Sequence, residues 1–584
     1  MRPPLRGVES HDARSAACVK TLSSLGALVA CVLFVWSPHA IGVEVLPSVR
    51  SRLPERPIIR PPEVPDDATL ESSGAVIAGV RLQRLNVFDP TIVEEDIPLF
   101  RFINRIHIVT RESTIEKQLL FRIGDRYDVR VLRETERQLR SNGYLIDAQI
   151  GPVAYADGKV ELTVRTQDTW TLKPQFQFGR SGGTNTTGAG IEEQNFLGTG
   201  ARLALNYEQN VDREIRSIQY TDLNLNAQRW LLDAEVDDNS DGYRQSLRVE
   251  RPFYALDSRW ATGVSLRNEA RIDSVYDLGQ IVEKYHTVER EATAYAGWSR
   301  GLHDGFATRW TGGITFDERQ ATDAEGAAPA PVLPADRRLI YPWVGVEVAE
   351  DEFREMYNFN QIGRVEDVSL GWQARFQIGA AGKALGSDRD ALVFEGTASK
   401  GFQLSGAQTW LWSAAASGRF EHGALADTIF SIATRYYWRQ TARYTLFLGL
   451  GADHGVNLGV DKQLTLGGDN GLRGYPLRYR TGQDRWLFTT EERLFTDWYP
   501  FRLFSVGAAA FFDVGGVRGD SLVQATPPPG TPPAKVLKDV GFGLRLGNMR
   551  SALGNVIHVD VAFPLDADPS ISKVQFIIQA ERSF

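Results

Sequence analysis

The sequence predicts an all-β transmembrane barrel of about 16 antiparallel strands, preceded by a small α/β domain, and three observations carry this. From residue 171 to 584, apolar and polar residues alternate in stretches of roughly ten, broken by Gly, Asn and Asp clusters, with no lasting helical period. Glycine is abundant (54 residues) and aromatics make up 10%, yet no run beyond residue 40 is long and apolar enough for a spanning helix. Between about 99 and 170 the pattern mixes alternation with helical spacing.

The N-terminal stretch has the order of an export signal. Arg2, Arg6, Arg14 and Lys20 precede the apolar run Leu25–Trp36, and Ser37-Pro-His-Ala40 follows it. Residues 1–40 are therefore read as a signal peptide. An uncleaved anchor is one alternative. A lipoprotein box at Leu28-Val-Ala-Cys31 is another, opposed by the apolar Val32–Trp36 just beyond it. Both cysteines, Cys18 and Cys31, lie in this stretch, so the rest of the chain has no thiol. That excludes a disulfide scaffold, a cysteine nucleophile and thiolate-bound zinc or iron–sulfur centres. The net charge is −8, and residues 1–40 hold four basic and two acidic residues, leaving the remainder more acidic still. Nucleic acid is a poor partner for such a chain. Residues 41–98 form a Pro-rich linker and lead-in, with Pro47, Pro54, Pro57, Pro61, Pro62 and Pro65 close together.

The α/β domain is placed at 99–170. Phe102–Val109 alternates like a strand. Ser113–Phe121 opens on a Ser N-cap with Glu116 three residues on, and Gly124-Asp125 breaks it. Asp128–Ser141 carries Val131, Leu132, Thr135 and Leu139 at helix spacing and ends at Asn142-Gly143 as a left-handed cap. Strands Tyr144–Val153 and Lys159–Thr166 are joined by the turn Ala156-Asp157-Gly158. This β-α-α-β-β order, with Arg133-Glu-Thr-Glu-Arg-Gln-Leu-Arg140 before Gly143-Tyr144, resembles a POTRA domain, the periplasmic module of outer-membrane assembly and secretion proteins. A three-stranded sheet leaves an open edge to which a client strand could pair; the plainer reading is a spacer that braces the next domain.

In the barrel region, Ala201–Tyr207, Ser246–Arg251 and Lys573–Ala580 show the alternation, and 11 of the 13 tryptophans lie beyond residue 170, many near strand ends, as an aromatic girdle requires. A soluble propeller or sandwich would also alternate. The last strand, however, ends on Phe584, with Ala580, Ile578, Phe576 and Val574 on the same face, and this resembles the recognition signal of outer-membrane barrels. Arg582 departs from the usual apolar residue there.

Three segments resemble the BamA/TamA superfamily. Glu192-Glu-Gln-Asn-Phe-Leu-Gly-Thr-Gly200 matches its first-hairpin motif, with Asn195, Phe196, Gly198 and Gly200. Leu466-Gly-Gly-Asp-Asn-Gly-Leu-Arg-Gly-Tyr475 matches the signature of its long sixth extracellular loop, and Phe511-Phe-Asp-Val-Gly-Gly516 a downstream strand. Arg251-Pro-Phe-Tyr-Ala-Leu-Asp257 is a weaker match. The resemblance implies that the loop folds back into the lumen, with Arg473 at its tip paired to Asp513 and to Glu491, or to Glu492 if strand parity is reversed. Gly474 would allow a tight turn and Tyr475 would pack the tip. It further implies an outer-membrane location, contact with membrane lipids, and assembly, insertion or translocation of unfolded or partner proteins. A single module departs from the several carried by BamA-like machines. The alternative is a passive channel or surface antigen in which module and loop are structural.

An enzyme is not expected. Gly179-Arg-Ser-Gly-Gly183 fits G-x-S-x-G in form, but a turn follows Ser181 where a nucleophile elbow needs a helix. His107, His286, His303, His422, His454 and His558 show no metal spacing, and no cofactor is expected.

Overall fold

A computed structural model describes residues 58–581, except 94, 227, 325–331, 364, 501–503, 520–535, 549–555, 568 and 570. The expected signal peptide, residues 41–57 of the Pro-rich lead-in, the Pro-rich Thr526–Pro533 and Phe584 lie outside the described residues.

The N-terminal module begins earlier than residue 99. Helix α1 (Asp67–Ser72) leads into strand β1 (Val76–Leu85), followed by helices α2 (Pro98–Ile106), α3 (Glu112–Glu116) and α4 (Val129–Ser141) and strands β2 (Leu145–Ala156) and β3 (Lys159–Asp168). The sheet order is β1-β3-β2, with β1 parallel and β2 antiparallel to β3. Val64, Leu70, Ala75 and Ile77 from the expected lead-in share one core with Leu132, Leu139, Leu145 and Leu162.

The first strand is thus 76–85, not 102–109. The latter stretch is mostly helix, because Pro98 occupies its first turn and Phe100 and Asn104 dock it onto the preceding loop. Phe100 stacks on Phe88 at 3.8 Å. The Asn104 side chain donates to the Phe88 carbonyl and accepts from its N–H. Two further expectations fail. Helix α3 starts after Arg111 with no side-chain cap, so Ser113 is inside it. Asn142 is extended (φ −73°, ψ 127°), and its side-chain amide closes α4 by donating to Gln138 and Leu139 carbonyls.

Among the described residues, 20 of the remaining strands form a closed antiparallel barrel, not about 16. The lower estimate allowed too much chain per connection. Neighbouring strands are often joined by two residues with positive φ, as at Asp304-Gly305 (51° and 82°) and His422-Gly423 (52° and 82°), the primed turns that suit the twist of a hairpin. Side chains alternate across the wall. Ile218, Val344, Ile432, Phe542 and Phe576 are exposed outside, while charged residues such as Arg271, Glu289 and Arg319 pair within. Trp260, Trp298 and Trp310 face each other across adjacent strands near the module end, all exposed.

Two insertions enter the lumen from opposite ends. From the far end comes loop 457–483, with a small ladder between Leu464–Leu466 and Arg480–Gly482. From the module end comes the hairpin Phe353–Tyr357 and Val365–Ser369. At its tip Glu366 Oε1 accepts the N–H groups of Phe359, Asn360 and Gln361. Phe359 packs on Tyr437 at 4.2 Å, and Ile362 joins Phe495, Ala509 and Val556 of the inner wall.

Helix α4 also carries a titrating group. Burial pushes the Glu136 carboxyl up to about 7, against the opposing effects of the Ile150 N–H and of Arg140. Its folded value lies above its ordinary 4.5, so the folded module binds the proton more tightly and loses stability as pH rises from about 4.5 to about 7. Hydrogen exchange across 129–156 in the full chain is expected to be slower at pH 5 than at pH 8 after correction for the intrinsic rate. Glu136→Gln should flatten that difference.

Candidate functional site

Within loop 457–483, Arg473 reaches the wall as a fork. Its Nε and Nη2 donate to the two oxygens of Asp513 (2.7 and 3.0 Å), and Nη1 donates to Glu491 Oε1 (2.8 Å). The guanidinium carbon lies 3.4 Å from the Phe511 ring centroid, a cation–π contact between two buried side chains. Strand parity selects Glu491: it faces inward and is buried, whereas Glu492 takes the other face, where Gln440 donates to it.

The site is larger than the predicted triad. Four consecutive strands each supply one buried carboxylate: Glu491, Asp513, Asp539 and Asp560. Asp513 and Asp539 are direct ladder partners. Asp560 lies 3.6 Å from Arg473 Nη1 and is bound by the fully buried Arg545. Arg493 Nε donates to Glu491 Oε2 at 3.0 Å. Three guanidiniums therefore face four carboxylates. An inward Asp, Arg or Glu reads like any luminal polar residue in one strand, so only the ladder register brings these extra members into view.

Gly474 is required for closeness rather than for turning. Its φ is outside the left-handed region, but a Cβ there would lie 2.7 Å from Asp539 Cβ and 3.0 Å from Pro564 N. Its N–H donates to Asp539 Oδ2 (3.0 Å). Tyr475 is fully buried among Leu466, Leu472 and Leu537. Its hydroxyl donates to the Lys538 carbonyl (3.0 Å) and accepts from the Asp566 N–H (3.3 Å).

The same loop grips the other side of the barrel closure. The first barrel strand, Leu172–Ser181, and the last, Gln575–Glu581, share one ladder pair among the described residues, Arg180 with Ile578, where other neighbours share seven or more. Ser181 Oγ donates to the Gly468 carbonyl (2.6 Å), and a Cβ on Gly182 would meet Leu477 N at 2.1 Å. The loop thus contacts both sides of the weakest junction. Ser181 ends a strand before the Gly182-Gly183 turn, with no helix after it. Further along, Arg478 donates to both oxygens of Asp212 (3.0 and 2.9 Å).

The first-hairpin motif lies at the opposite end, against the module. Asn195 Nδ2 donates to Thr110 Oγ1, and its Oδ1 accepts the Gly200 N–H. The Gly198 carbonyl accepts from Arg111 N and Thr114 Oγ1. Gly198 and Gly200 have φ of +76° and +78°, and a Cβ on Gly200 would press on the Tyr144 hydroxyl at 2.9 Å. Phe196 is exposed, as is Leu197 beside it. The Arg251–Asp257 segment docks on α4: Leu256 N donates to Glu134, and Arg130 donates to Asp257. Arg137 pairs with Asp351, and Arg140 with Asp367 and Glu355, which fastens the mouth hairpin to the same helix.

No model of a known protein family matches the chain, and no curated protein does. Solved structures that it resembles include BamA and CdiB. The BamA structure, from Haemophilus ducreyi and lacking POTRA domains 1–3, is 14% identical, with 87% of this chain and 84% of that one covered and a TM-score of 0.37. CdiB from Acinetobacter baumannii is 14% identical over 87% of this chain and 74% of that one, with a TM-score of 0.40. CdiB from Escherichia coli is 11% identical over 88% and 77%, with a TM-score of 0.44. At these values the likeness decides nothing about function, and the contacts around Arg473 must do so.

Arg473→Ala would leave Glu491 and Asp513 buried without their shared cation, a loss of roughly 3–5 kcal/mol. The thermal midpoint of the heat-modifiable gel shift is expected to fall accordingly. Arg473→Lys should recover only part of it, because an ammonium cannot span both carboxylates as a fork. In the same assay Gly474→Ala is expected to lower the midpoint by forcing the loop tip off the wall.

Proposed function

We propose that this chain is an outer-membrane protein of the BamA/TamA type that acts in the assembly, insertion or translocation of proteins. The observation that carries this reading is the loop fastened through Arg473 beside a sparsely paired barrel closure. Such a loop acts as a releasable clasp: while it is engaged, the junction between Leu172–Ser181 and Gln575–Glu581 stays shut, and its withdrawal frees strand edges that a client strand can pair with. The three-stranded module fits a POTRA role, with β2 as an edge strand that a client could reach once Arg140 and Glu136 of α4 release the Ala148 carbonyl and the Ile150 N–H.

Outward apolar side chains and the adjacent Trp260, Trp298 and Trp310 support a lipid-facing wall, which a closed barrel can offer because its backbone groups pair strand to strand around the ring, sparsely only at the closure. The reading as a passive channel is disfavoured by the two insertions that enter the lumen from opposite ends.

Proteomics of the outer membrane after depletion is expected to reveal one or a few proteins that disappear. In a chain lacking Cys18 and Cys31, the pair Arg180→Cys and Ile578→Cys should lock the junction when oxidised. Client recovery is then expected to fail until reductant is added. Full client recovery with the locked barrel would remove the clasp mechanism, and ion conductance in the absence of any client would favour the channel.

A further inference from the structure

Helix α2 has two apolar faces, and only one is used. Phe100 and Asn104 pack it onto Phe88 and the Asn86 loop. Leu99, Phe102 and Ile106 fall on a separate face and are 53%, 58% and 49% exposed. A single exposed leucine needs no explanation, but three large apolar residues at i, i+3 and i+7 form a stripe. Arg101 and Arg105 flank it and are exposed, with Arg101 Nε 3.1 Å from Asp96.

The surroundings say what covers the stripe. The chain leaving α2 is bound to the module-end rim of the barrel, because Arg111 N donates to the Gly198 carbonyl and Ile108 packs where a Cβ on Gly198 would lie. Ile108 is itself exposed, as are Phe196 and Leu197 on the adjoining turn and Leu172 at the start of the first barrel strand. Trp170 joins the two, packed against the Phe88–Phe100 cluster and 6.3 Å from the His107 ring. The stripe therefore continues the barrel's outward apolar surface past its rim. Beside it lie cations that can meet phosphates and a tryptophan of the kind favoured at membrane interfaces.

We propose that α2 is a membrane-interface helix that beds Leu99, Phe102 and Ile106 in the phospholipid leaflet on the module side, next to the first barrel strand. This rests on the reading of the barrel as a membrane protein. The helix would hold the module against the bilayer. It would also place apolar side chains in lipid beside the barrel closure.

The test uses the full chain with Cys18→Ala and Cys31→Ala, in nanodiscs of phosphatidylethanolamine and phosphatidylglycerol. Single cysteines at Phe102, Ile106, Val344 and Lys159 carry a polarity-sensitive dye, and quenching by spin-labelled lipid is read at each. Val344 is on the barrel's outer face, and Lys159 is an exposed module residue at the β2–β3 turn. Labels at 102 and 106 are expected to be blue-shifted and quenched to an extent approaching that at 344, with little quenching at 159. Quenching at 344 alone would overturn the helix proposal and leave the barrel reading intact. No quenching at 344 would remove both. Shielding of 102 and 106 that arises only when an unfolded polypeptide is added would also overturn the proposal, by making the stripe a protein-docking face.

Discussion

A guanidinium buried away from water must find its charge partners inside the protein, and Arg473 finds them on the barrel wall. Its fork spans Asp513 and Glu491 on adjacent strands, so the loop tip can engage only when those strands hold their register. The four carboxylates and three guanidiniums make that dependence mutual. Glu491, Asp513 and Asp560 are tolerable in the interior because Arg473 or Arg545 faces each of them, and Asp539 accepts the Gly474 N–H of the loop. Removing the loop would leave the wall with surplus negative charge, which makes the engaged position more than a packing preference.

The remaining contacts divide between the two ends of the barrel. At the far end, the loop is tied at Arg478, Ser181 and Arg473, so it bridges strands that are distant around the circumference. At the module end, helix α4 binds the Arg251–Asp257 turn, the base of the mouth hairpin and that hairpin's own strands. Asn195, Gly198 and Gly200 clamp the first hairpin to the segment after α2. Any tilt of the module would therefore pull on the mouth hairpin and on the strands beside the closure.

Much of this was legible in the sequence, for reasons that can be named. Period-two alternation placed residues inside or outside the wall, and the Leu-Arg-Gly-Tyr segment with its two downstream acids marked Arg473, Glu491 and Asp513. Asp539, Asp560, Arg493 and Arg545 are not visible there, because their importance arises from the register between consecutive strands, which decides which inward residues meet. Phe102–Val109 is ambiguous in the sequence because periods of 2 and 3.6 coincide over a few residues, and Pro98 at the helix start is the residue that decides it. The strand count was too low although Asp304-Gly305 and His422-Gly423 stood in plain view as hairpin turns. Gly474 reads as a turn glycine in the sequence, because closeness to a distant strand leaves no local trace.

The sparse closure between the first and last strands bears on how the molecule comes into being. Most neighbouring strand pairs can form by local zippering, some of them across two-residue turns. The Arg180–Ile578 junction must instead join positions about 400 apart in the chain. Ring closure of that span carries an entropic penalty roughly 3 kcal/mol above that of a ten-residue hairpin, since each doubling of length adds about 0.6 kcal/mol. Few ladder bonds among the described residues offset it, so chain entropy weighs more on this junction than on any hairpin of the wall, and the arginine-tipped loop adds contacts where that cost falls.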